Sequence, residues 1–271
     1  MPRIEVNGVA LNFQVNGNGE AVLLLHGAPD SAALWRHVAP QLASAGYRTV
    51  ALDQRGFGES DAPHGVKSYA MNHLIGDVLA LMDTLGIEKA HLVGHDWGAA
   101  VGWVLAGRSP ERFHTFTALS LGHSRAFASA GFAQLKKSWY IALLLVPGLG
   151  ERLFRSNDWR LLRRMTAHAE AEKWIADLGR DHRLTSCMNW YRANVLAAKH
   201  NPNVKVPVLG IWSDGDFALT EAQMTESAKY VDGSWRYERI EGVSHWLPLD
   251  APDKVVALLL DFFRGAPPAL A

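Results

Sequence analysis

The sequence predicts an α/β chain: a mostly parallel central sheet flanked by helices, with a helical lid inserted late in the chain. Three observations lead there. Short apolar runs alternate with longer amphipathic stretches, the pattern of strands buried on both faces and joined by helices. One run, in the stretch that begins at Ala90, breaks at Gly94-His95-Asp96-Trp97-Gly98 and resumes as a small-residue helix. Strand, sharp turn and helix in that order present the residue at the turn above the sheet. Finally, the alternation stops between Ser124 and Asn203, which reads as helices only. The expected organisation is therefore a core of residues 1–123 and 204–271 and a lid of residues 124–203.

Each element has a local reason. Arg3 to Val15 reads as a hairpin, because apolar residues alternate on both sides of Asn7-Gly8. Ala21 to Leu25 is a continuous apolar run ending in His26-Gly27-Ala28-Pro29. A helix is expected over Leu34 to Ala45, then a strand over Arg48 to Leu52 that ends in the Gly-rich loop Asp53 to Asp61. Ser68 to Leu85 reads as a helix with Gly86 as its C-terminal stop. After the elbow, Phe113 to Leu121, Val206 to Trp212 and Trp235 to Ile240 are strands, and Asp253 to Phe263 is the last helix. The apolar run Ile141 to Val146 is too short to span a bilayer and is expected as a buried lid helix. The Pro/Ala-containing tail from Gly265 to Ala271 is expected to fray.

Composition narrows the function classes. The chain has 271 residues, 48% hydrophobic, enough for one sizeable core. A formal net charge of zero gives no global basic field for nucleic acid. The lid carries 13 Lys/Arg against 6 Asp/Glu, but scattered at helical spacing, as on a solvated outer face. The single cysteine, Cys187, rules out a disulfide within the chain and fits a reducing compartment; with no apolar leader, the expected location is cytoplasmic. Oligomeric state stays open, a homo-oligomer included.

The residue at the turn decides the chemistry. Asp96 is a carboxylate, anionic at neutral pH without help from a base. Attack on a carbonyl would give an anhydride, whereas attack on a saturated carbon gives an ordinary ester. A base and a water must then cleave that ester. His245, in the loop after the last strand, is placed to activate the water. Trp212-Ser213-Asp214-Gly215-Asp216 offers two carboxylates to orient it; Asp216 is the choice and Asp214 the reserve. The backbone N–H groups of Ala28 and Trp97 can form an oxyanion hole at adjacent strand ends. With the elbow helix N-terminus, they are expected to offset the desolvation that would raise the Asp96 pKa. His26, Asp53, Arg55 and His95 read as structural, and His123 and His168 have no assigned role.

Together His26-Gly27-Ala28-Pro29, Arg55-Gly56-Phe57-Gly58-Glu59-Ser60, Gly94-His95-Asp96-Trp97-Gly98-Ala99 and Gly242-Val243-Ser244-His245-Trp246 resemble the α/β-hydrolase family, and within it the epoxide hydrolases. The resemblance spans essentially the whole chain and implies the α/β-hydrolase fold. It also implies two lid tyrosines that bind the epoxide oxygen. Tyr191 lies in Asn189-Trp190-Tyr191-Arg192, and Tyr140 stands seven residues before Pro147-Gly148, the spacing the family shows. The expected activity is cofactor-independent conversion of an apolar epoxide and water to a vicinal diol, without metal, nucleic acid or membrane insertion. Haloalkane dehalogenases share the Asp-Trp elbow, so dehalogenation is the alternative; many of them carry Asn where this chain has Ala28. A non-catalytic ligand receptor on the same scaffold is a third reading, opposed by the intact Asp96, His245 and Asp216 set.

Overall fold

The computed structural model describes residues 2–195 and 201–265. Part of the expected lid (196–200) and the tail beyond Gly265 lie outside the described residues.

Eight strands form one sheet: β1 (Arg3–Val6), β2 (Val9–Asn16), β3 (Glu20–Leu25), β4 (Tyr47–Leu52), β5 (Ala90–His95), β6 (Phe113–Leu119), β7 (Val208–Gly215) and β8 (Trp235–Ser244). Their spatial order is β1-β2-β4-β3-β5-β6-β7-β8. The β1–β2 and β2–β4 pairs are antiparallel and the rest parallel. The β1–β2 hairpin turns at Asn7 and Gly8, both at positive φ, as a two-residue turn between right-twisted strands requires.

Helices α1 (Ala39–Ser44), α2 (Met71–Thr84) and α3 (Trp97–Arg108) connect the first strands. Six more, α4 (Ser124–Ser129), α5 (Gly131–Lys137), α6 (Ile141–Leu144), α7 (Leu149–Thr166), α8 (Ala171–Gly179) and α9 (Arg183–Asn194), lie between β6 and β7. The chain closes with α10 (Glu221–Thr225), α11 (Leu247–Asp250) and α12 (Pro252–Gly265). Strand periodicity divides the core. Leu23, Leu25 and Leu92 pack with Leu74 and Val78 of α2 and Val101 and Leu105 of α3. Val22, Leu24 and Val93 pack with Leu42 of α1 and Val255 and Leu259 of α12 on the other face. Burial on both faces is why the central strands read as unbroken apolar runs.

Several elements differ from expectation. Leu34 to Ala45 is not one helix but a short 3-10 turn, Ala32–Trp35, followed by α1. Pro40, in the first turn of α1, has no N–H to continue an earlier helix. Ser68 to Leu85 breaks at Ala70, which is extended (ψ 144°) and hands a 3-10 turn to α2. At the other end of α2, Gly86 N–H bonds Asp83 and Ile87 N–H bonds Met82, a complete Schellman stop. Strand β6 ends at Leu119 rather than Leu121, while β8 continues four residues past Ile240. The run Ile141 to Val146 is not a buried helix: α6 covers four residues, Leu144 is buried, and Ala142 and Val146 are exposed. Nor are the cations of the expected lid uniformly solvated, since the Arg192 side chain is only 6% exposed and paired with Glu151.

Candidate active site

Parallel register brings the polar ends of the strands together. Leu25 lies beside Gly94, His95 beside Leu119, and Gly215 beside Ser244. The residues that follow β3, β5, β7 and β8 therefore converge at the carboxyl edge of the sheet. The elbow closes there because of its glycines. A Cβ on Gly98 would overlap the Leu25 carbonyl, and one on Gly27 would overlap the Asp96 side chain. Asp96 has φ 51° and ψ −116°, a strained conformation costing on the order of 1–3 kcal/mol. Hydrogen bonds from Asp96 N–H to Leu119 O (3.2 Å) and from Ala100 N–H to Asp96 O (2.9 Å) hold it.

The two oxygens of Asp96 have different surroundings. Oδ1 accepts the Ala28 N–H at 3.0 Å, and the Trp97 N–H also stabilises the carboxylate. Oδ2 lies 3.8 Å from His245 Nε2, beyond hydrogen-bond length. His245 Nδ1 donates to Asp216 Oδ2 at 2.7 Å, which fixes the tautomer. The other oxygen of Asp216 accepts the N–H groups of Ala218 (2.8 Å) and Leu219 (2.9 Å). Asp214 stands apart, exposed, accepting from Gly242 N–H at 2.8 Å and paired with Arg239. Of the two candidate carboxylates, Asp216 is the one brought to His245.

Burial and charge compete at each group. Burial raises the Asp96 pKa, and the nearby His245 and the Trp97 and Ala28 amides only partly reverse it. The expectation that these donors cancel the desolvation is thus corrected: the side chain is mostly enclosed, and burial wins. Burial alone would lower the His245 pKa, but the Asp216 charge and hydrogen bond, with the Asp96 charge, hold it above the ordinary value. From the segment between β6 and β7, Tyr140 and Tyr191 line the same cavity as Asp96 and Trp97, which has a volume of about 370 Å³. Burial, reinforced by the carboxylate charges, raises both phenols far above the ordinary range. The Tyr191 ring meets Trp97 edge-on, with centroids 4.9 Å apart.

The residues read as structural are buried and bonded. His26 Nε2 accepts the Gln54 N–H at 3.0 Å, and Asp53 accepts from Asn12, Ala32 and Glu59. Arg55 forks onto Asp77 with two 2.6 Å bonds. His95 does more than the sequence suggested. Its Nε2–H and the Ser120 hydroxyl both bond the His245 backbone carbonyl, at 2.9 and 3.0 Å. His168, unassigned from sequence, bonds Asp250 at 2.9 Å, and Asp250 in turn accepts the Ser244 N–H at 3.1 Å, next to His245. His123 is buried, accepting from Arg125 N–H at 3.3 Å and near Pro202 O. Sequence reasoning missed Gln134 and Lys137 of α5. Gln134 bonds Ala218 O and the Thr220 N–H, and Lys137 Nζ donates to the Asp216 carbonyl. Such contacts span about 80 residues of chain and leave no local spacing signal.

Comparisons with known proteins fit this geometry. A sequence model described as the alpha/beta hydrolase fold matches residues 20–252. The human protein named Epoxide hydrolase 4 is 32% identical across 97% of this chain and 78% of its own length. Epoxide hydrolase A of Mycobacterium tuberculosis is 30% identical across 97% of this chain and 96% of its own. The crystal structure of Epoxide Hydrolase A from Mycobacterium thermoresistibile superposes with a TM-score of 0.86 at 28% identity, covering 98% of both chains.

Proposed function

Because the chain belongs to the alpha/beta hydrolase fold family, we propose that it is an epoxide hydrolase converting an apolar epoxide to a vicinal diol through a covalent ester on Asp96. The names of its relatives support the reaction class. The observation that supports the mechanism is the asymmetry of the Asp96 carboxylate: Oδ1 accepts the Ala28 N–H, while Oδ2 lies 3.8 Å from His245 Nε2 in a site that the two phenols also line. The helices at 124–203 act as the lid that excludes water and supplies those phenols.

Tyr140 and Tyr191 hydrogen-bond the epoxide oxygen. Oδ2 of Asp96 attacks a ring carbon, the carbon–oxygen bond breaks, and a tyrosine proton passes to the new alkoxide. A water then loses a proton to His245 Nε2, and its oxygen adds to the ester carbon. Oδ1 becomes the oxyanion and already accepts the Ala28 N–H, with the Trp97 N–H beside the same carboxylate. Collapse expels the diol oxygen, which takes the proton back from His245. The regenerated Asp96 carboxyl releases its own proton, which restores the tyrosine. Asp216 stabilises the imidazolium in between. Ala28, standing where many dehalogenases carry Asn, favours this reading over dehalogenation.

Intact mass spectrometry of His245→Ala after exposure to styrene oxide tests the proposal. The expected result is a gain equal to the whole epoxide, absent when Asp96→Ala is added. A persistent lack of adduct while the variant still folds would count against the carboxylate nucleophile.

A further inference from the structure

We infer that the site takes epoxides bearing one large apolar group and, on the other ring carbon, nothing larger than a small alkyl group. This rests on the epoxide reading above and adds the shape of the substrate.

Two cavities open from the site. Among the described residues, Asp96, Tyr140 and Tyr191 are the ones that line both. An oxirane whose oxygen meets the two phenols and whose carbon meets Asp96 therefore sits at the junction, with its substituents diverging into two lobes. The lobes differ greatly. The larger has about 370 Å³ and follows α3 past Trp97, Ala100 and Trp103 to Arg108 at the far end. At 1.5 Å per residue, that helix is about 18 Å long. The smaller lobe has about 60 Å³ and is lined by Leu144, Phe154, Leu178 and Met188, all buried. An apolar cavity of roughly 150 Å³ accepts a benzene ring. The larger lobe exceeds that size more than twofold, and the smaller falls well short of it. Close-packed core side chains with few voids around them do not yield that much space without rearrangement.

The test compares kcat/KM for styrene oxide, with one phenyl group, and trans-stilbene oxide, with two. The expected preference for styrene oxide is at least about a hundredfold. Two variants enlarge the small lobe, Phe154→Ala and the milder Met188→Ala. Either is expected to raise the stilbene-to-styrene ratio about tenfold or more. Ala100→Leu, which narrows the large lobe, is expected to lower kcat/KM for styrene oxide. A wild-type ratio near one, or a ratio unmoved in folded Met188→Ala, would overturn the inference. Calorimetric titration of the two product diols reads the same asymmetry without turnover. Styrene glycol binding while hydrobenzoin does not would uphold the lobe inference even if neither epoxide were hydrolysed, an outcome that would remove the epoxide reading alone. Equal binding of both diols would overturn the inference itself.

Discussion

At the scale of single residues, the site is defined by how burial and charge are balanced. In the proposed mechanism His245 acts as a base only when neutral, and its pKa is held above the ordinary histidine value of about 6.5. Ester hydrolysis should therefore slow as the pH falls through a limb that lies above that value, visible in kcat where hydrolysis limits turnover. Asp216→Asn removes the opposing charge and the 2.7 Å acceptor. It should move the limb to lower pH and reduce kcat by about a thousandfold or more. An unshifted limb in that variant would assign the titration to another group. The phenols behave in the opposite sense: burial keeps Tyr140 and Tyr191 protonated well beyond the ordinary tyrosine range. Wild-type activity should show no alkaline loss near pH 10, while Tyr140→Phe and Tyr191→Phe should each lower epoxide opening by about a hundredfold or more. Rapid-mixing kinetics of the alkylation step checks both.

At the scale of elements, the elbow shows what a sequence can and cannot reveal. Gly94, Asp96 and Gly98 are legible because a sharp strand-to-helix turn needs small neighbours, and the structure supplies the reason in the Leu25 carbonyl behind Gly98. Gly98→Ala should push α3 away from β3, destabilising the fold by about 3 kcal/mol or more and disordering the Asp96 turn. Denaturant unfolding measures it, and a loss below about 1 kcal/mol would mean that the packing can relax. Leu34 to Ala45 reads as one helix by its apolar periodicity, but Pro40, with no N–H to give, splits the segment. The sequence offers Asp214 and Asp216 as neighbouring carboxylates, and the structure leaves Asp214 inside β7 and puts Asp216 just past it. What separates them is the course of the turn after β7, which bonds Asp216 to the Ala218 and Leu219 N–H groups and leaves Asp214 to brace Gly242. The supporting contacts of His95, Ser120, Gln134 and Lys137 were not legible, because each joins segments distant in sequence.

At the scale of the whole molecule, the alternation of strands and helices predicts the architecture, while the cavity's two unequal lobes emerge only from how the helices between β6 and β7 pack on the sheet. Among the described residues, no helix is long and apolar enough to cross a membrane. Global stability has its own pH signature. Burial lowers the His123 pKa to about 4, below its unfolded value of about 6.5. The unfolded chain then binds the extra proton, so this contribution is complete above about pH 6.5 and is lost as the pH falls toward 4, by on the order of 3 kcal/mol. His123→Gln should flatten the stability profile in that window, and an equally steep acid loss in the variant would place its origin elsewhere. The central claim, a covalent ester on Asp96, is tested most directly by a single turnover in heavy-oxygen water with enzyme in excess. The account predicts the label in the Asp96-containing peptide and an unlabelled diol. Label appearing directly in the diol, with Asp96 unlabelled, would contradict it.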